Sequence, residues 1–169
     1  MLRLAFILSL GLAQSAAANI SVHFIEGAPK DRFQIVNLST CDTGAINVTI
    51  DLSTASGALI FDTTGSGAGV EVFQPFELVS GADQVRQANA VSDGDTRVEL
   101  SLTNLKPESA IAFTVDVDDT LPASANGQIM VSDSEMDGAT FAVSRGSDTT
   151  TTTFKGSGRA LLPYNFCQS

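Results

Sequence analysis

Two short acidic runs hold most of the side chains that could do chemistry. Ile111 to Thr120 reads IAFTVDVDDT and sets Asp116, Asp118 and Asp119 close together. Asp133 to Gly138 reads DSEMDG and sets Asp133, Glu135 and Asp137 at alternate positions before a glycine. Grouped carboxylates can flank a glycosidic bond as acid and nucleophile, and such enzymes use two acids facing across a cleft. They can also share a calcium ion, which takes six to eight oxygen ligands from carboxylates, carbonyls and water. The plainest role is solvation at turns.

DSEMDG matches the first half of an EF-hand loop, but Ser144 stands where the bidentate glutamate belongs, and strand-like runs flank it. An EF-hand is therefore excluded, while a calcium loop on a β scaffold is not. Asp116, Asp118, Asp119, Asp133, Glu135 and Asp137 form the candidate calcium set, provided the two runs meet at one end of the fold. Uncompensated carboxylates in one place repel each other, which is the argument for an ion. Solvated acids remain the preferred reading.

Other chemistries have little material. His23, the single histidine, lies between Val22 and Phe24, and no G-x-S-x-G elbow accompanies it, so a nucleophilic triad is not expected. One histidine and two distant cysteines cannot make a zinc site. The glycines of GSGAG (65–69) precede strand-like residues, whereas a phosphate cradle needs them to open a helix. No catalytic residue and no cofactor other than calcium is assigned.

Charge and ends narrow the class. The chain has 19 acidic and 9 basic residues, a net charge of −10. That sign disfavours nucleic acid and anionic membranes and favours cations or basic partners. Residues 1–18 carry Arg3, an apolar run from Leu4 to Leu12 and small residues to Ala18, the pattern of a secretory signal peptide. The apolar run is about half of the ~20 residues a spanning helix needs, so no membrane insertion is expected once the signal is removed. The mature chain, 19–169, suits a single domain in the periplasm or outside the cell. There, Cys41 and Cys167 are expected to pair, and closing so long a loop is worth roughly 4–5 kcal/mol.

The elements that must position these residues are strands. Period-two runs recur at 20–25, 32–38, 46–52, 58–62, 70–73, 76–79, 97–102, 111–117, 128–132 and 140–144, with turn residues between them. About ten short strands predict an all-β fold, a single antiparallel β-sandwich. Only GADQVRQANA (81–90) has a helix-tolerant composition. RVELSL and IAFTVDV read as a hairpin with one apolar and one polar face each, which puts Asp116 and Asp118 on the solvent face. The threonines of DTTTTTF (148–154) suit a polar edge strand or a loop.

From Phe24 to Cys167 the chain resembles a family of small secreted bacterial proteins called aggregation factor core proteins. The likeness is carried by FIEGAPKDRFQIVN (24–37), ALIFDTTGSGAGVEVFQPFELVSGAD (58–83) and IAFTVDVDD (111–119), with Cys41 and Cys167 in keeping. The family takes its name from a sponge factor that mediates calcium-dependent cell aggregation. The resemblance implies an exported β-domain with an adhesive or matrix role, no enzymatic activity, and a cell-surface or matrix partner or self-association. The sequence leaves two other readings: a carboxylate-dependent glycan hydrolase on this scaffold, and a purely structural envelope protein.

Overall fold

The computed structural model describes residues 19–70, 73–122 and 127–167. The predicted signal peptide, 1–18, lies outside them. Eleven strands follow in order: β1 Asn19–Ile25, β2 Asp31–Asn37, β3 Ile46–Asp51, β4 Leu59–Asp62, β5 Glu77–Ser80, β6 Val85–Ala88, β7 Arg97–Leu102, β8 Ala110–Asp119, β9 Thr140–Arg145, β10 Asp148–Thr153 and β11 Arg159–Pro163. One sheet has the order β11-β1-β2-β8-β4, with β5 also paired to β8; the other runs β10-β9-β3-β7-β6. All pairings are antiparallel. The fold is the expected β-sandwich.

Alternation produces this arrangement because each strand sends every second side chain into the space between the sheets. Val22 and Phe24 of β1, Phe33 and Ile35 of β2, Val48 and Ile50 of β3, and Val98 and Leu100 of β7 are all buried. Phe33 sits at the centre of the core, stacked on Phe113 at 5.1 Å and tilted against Phe24 at 5.3 Å. Truncating a phenylalanine packed this way typically costs about 3–5 kcal/mol.

Cys41 and Cys167 form a disulfide with a Cα–Cα distance of 5.4 Å. It fastens the segment after β11 to the β2–β3 connection, where Asn37 Nδ2 donates to the carbonyls of Cys41 and Leu105.

Four local expectations are corrected. β7 and β8 are not a hairpin: they lie in different sheets, and residues 103–109 cross from one layer to the other. Residues 128–132 form no strand. Of the run at 70–73, Val70 and Phe73 are outside any strand, and 71–72 lie outside the described residues. The helix-tolerant stretch holds only a 3₁₀ turn at Ala82–Gln84 before β6. There Val85 pairs with Leu102 and packs on the core, so sheet pairing overrides local propensity. The threonine run is an edge strand, β10, as one of its two readings had it.

Candidate functional site: buried aspartates around β8

β8 is buried from Ile111 to Asp119, on both faces. Asp116, Asp118 and Asp119 are therefore not on a solvent face, which corrects the sequence expectation. The cause is a cover over the outer face of the sheet. The Val70 N–H reaches Asp118 Oδ2 at 2.7 Å, while on the strand edge beyond β2 the Asp119 N–H donates to the Gln128 carbonyl at 3.0 Å. On the adjoining edge, Asp116 donates to the Gln74 carbonyl, and Gln74 to that of Asp62. Alternation does set the faces correctly, since Val115 and Val117 enter the core. It cannot say whether the other face is wet.

Two further aspartates join this strand. Asp62, at the end of β4, pairs in register with Asp116. Asp31 stands where β2 runs out as a partner for β8, and its carboxylate replaces the missing strand: Oδ2 accepts from the Val117 N–H and Oδ1 from the Gly27 N–H. Asp31, Asp62, Asp116, Asp118 and Asp119 are all buried. Asp62 Oδ2, Asp116 Oδ2, Asp118 Oδ1 and Asp119 Oδ2 have no hydrogen-bond partner there. Buried charge without pairing is costly, so these oxygens need a proton or a cation.

Asp62 is the hub. Its Oδ1 accepts from the Thr64 N–H, and its carboxyl group lies within hydrogen-bonding reach of both Asp93 and Asp118. A bond between two carboxylates requires one of them to hold a proton. Burial, reinforced by Asp93 and Asp118, pushes Asp62 up to about 6. The Ala68 N–H, with Asp62 itself, holds Asp93 below its ordinary value. Burial raises Asp118 against the pull of the Val70 N–H. Burial followed by the charges of Asp118 and Asp62 brings Asp116 up to about 7, and burial brings Asp31 up to about 8. The charges that raise Asp31, Asp62, Asp116 and Asp118 are those of neighbouring acids, Glu26, Asp93, Asp116, Asp118, Asp119 and Asp62 among them.

Gly69 makes the closest approach possible. A Cβ there would lie 2.4 Å from Asp62 Oδ2 and 2.5 Å from Asp118 Oδ2. The turn therefore folds tightly over two carboxylates, with no side chain of its own between them.

The second acidic run behaves differently. Asp133 is exposed. Glu135 is tied locally, accepting from the Ser132 N–H and hydroxyl at 2.7 Å. Asp137 is half-buried, with Oδ1 lacking a partner. The turn is anchored to the β3–β4 connection through the Gly57 N–H to Glu135 O and the Ser56 N–H to Asp137 O. As the side chains stand, no three His, Cys, Asp or Glu among the described residues form a metal-holding group. The six predicted calcium ligands are not drawn together. Asp93, Asp62 and Asp118 stand in a chain instead.

His23, half-buried on β1, pairs in register with Arg159. Burial and then Arg159 lower its pKa, and Asp133 opposes them. Asp31, Asp62 and Asp93 were missed by sequence reasoning because each adjoins turn residues, where aspartate normally means a solvated cap.

No protein-family model matches the chain, and no curated protein matches it. No helix among the described residues is long and apolar enough to cross a membrane.

Proposed function

We propose that the chain is an exported, non-enzymatic β-sandwich module of cell-surface adhesion or matrix binding, assisted by calcium held at Asp62 and Asp118. One observation carries the ion: the buried oxygens Asp62 Oδ2 and Asp118 Oδ1 have no partner, on two carboxylates that both lie against Gly69. The groups gathered there are carboxylates, and oxygen ligands suit a hard cation such as calcium. Asp93 at the rim and Asp116 across the strand pair add negative charge. Adhesion rests on the resemblance to the aggregation factor core family and on the acidic surface, which favours basic partners.

A glycan hydrolase is less well supported. The clustered acids lie beneath loops, while a surface hollow of about 910 Å³ is lined by Arg145, Thr149, Tyr164 and their neighbours with Asp148 as its one carboxylate.

Thermal unfolding of the mature chain at pH 7.5 tests the reading. A ligand at a hundred times its Kd stabilises by about 2.7 kcal/mol, so calcium in place of chelator should raise Tm by about 5–10 °C. An unchanged Tm at millimolar calcium would remove the ion from the account.

A further inference from the structure

On another side of Asp116 lies a cavity of about 110 Å³ lined by Glu26, Gly27, Ala28, Pro29, Asp116, Ile129 and Met130. It is smaller than the roughly 300–1,000 Å³ of sites for drug-sized ligands, so it suits a group the size of one side chain. Its walls are chemically divided. Pro29, Ile129 and Met130 are apolar, and Ile129 and Met130 are 49% and 52% exposed. Asp116 is 3% exposed and its Oδ2 has no partner.

We propose that this cavity binds a primary alkylammonium group, presented as the lysine side chain of a partner protein. A lysine has an apolar stem and a compact charged head. The stem would lie against Pro29, Ile129 and Met130, and the ammonium would meet Asp116, with Glu26 at the mouth. A guanidinium fork seeks two parallel acceptor oxygens in one plane, whereas an ammonium is a compact point charge that a single carboxylate at the end of a narrow cavity can meet. Calcium needs six to eight oxygens, which these apolar walls do not supply, so this site is separate from that of Asp62 and Asp118. A partner protein is favoured over a free amine because the exposed Ile129 and Met130 form an apolar rim that a protein surface would cover, and the chain's net charge of −10 attracts basic surfaces.

The test is amide chemical-shift titration of the mature chain at pH 8 with a blocked Gly-Lys-Gly peptide, its norleucine counterpart and n-butylammonium. The lysine peptide should give saturable shifts at Gly27, Ala28, Ile129 and Met130, and the norleucine peptide none. Asp116→Asn should weaken binding at least tenfold. The surface double variant Ile129→Ser, Met130→Ser should weaken it about threefold with Tm unchanged, which keeps the test decisive even if Asp116→Asn unfolds. Equal shifts with norleucine, or full binding by folded Asp116→Asn, would overturn the ammonium site. Tighter binding of butylammonium than of the peptide would overturn the partner assignment. Each titration is run with calcium and with chelator: lysine binding that persists while calcium has no effect removes the ion reading alone.

Discussion

The two acidic runs have similar composition and different surroundings: three buried carboxylate oxygens lack a partner in the first, on Asp116, Asp118 and Asp119, and one in the second, on Asp137. Asp116, Asp118 and Asp119 lie under loops on a strand buried on both faces, whereas Asp133 lies in an open turn. The difference comes from what covers them. β8 is flanked by β2 on one side and by β4 and β5 on the other; the Val70 segment reaches its outer-face Asp118, and Gln128 takes up the edge beyond β2. Acidity alone therefore marks neither a solvated face nor a site; the decisive quantity is how many carboxylate oxygens are left without a donor.

The largest expected effect separates the runs by pH. Asp31, Asp62 and Asp116 have folded-state values of about 8, 6 and 7, above the ordinary range near 4. The native state therefore binds more protons than the unfolded chain between pH 4 and 8. Stability without ions is greatest at the acid end of that window and is lost as pH rises through it, by several kcal/mol in sum. Denaturant midpoints in chelator should fall from pH 5 to pH 8. Asp31→Asn should flatten the slope and Asp133→Asn should leave it unchanged. A flat profile for the parent chain would break the comparison.

Removing a capping acid comes next. Asp31→Ala leaves the Val117 and Gly27 N–H groups without their acceptor and should cost about 2–4 kcal/mol, read from urea unfolding. A cost near zero would mean that water or another group replaces the carboxylate.

Gly69→Ala should cost about 1–3 kcal/mol, because the new methyl would stand 2.4–2.5 Å from the Asp62 and Asp118 carboxylates and one of them must shift, and it should abolish the calcium effect on Tm. Retained calcium stabilisation in this variant would move the ion elsewhere. At the small end, Asp133→Asn on the exposed turn should stay within about 0.5 kcal/mol of the parent, checked in the same unfolding series.

The sequence carries the sandwich because period-two alternation is a direct record of which face meets the other sheet. It carries the Cys41–Cys167 pairing through cysteine number and the expected compartment. It does not carry the cover over β8, which depends on residues 70, 74 and 128 arriving from other parts of the chain. Nor does it carry the crossing between β7 and β8, since a turn rich in polar residues suits a hairpin and a layer change equally. Asp31 and Asp62 read as turn acids for the same reason: their partners, Val117 and Asp118, are distant in sequence. The candidate site was thus half legible, with its aspartates on β8 visible and those supplied by β2 and β4 hidden.

Isothermal titration of calcium into residues 19–169 at pH 7.5, with Asp118→Asn and Asp137→Asn beside it, tests the central claim most directly. The account predicts one ion bound by the parent and by Asp137→Asn, and none by Asp118→Asn. Absence of binding to the parent, or binding lost only in Asp137→Asn, would contradict it.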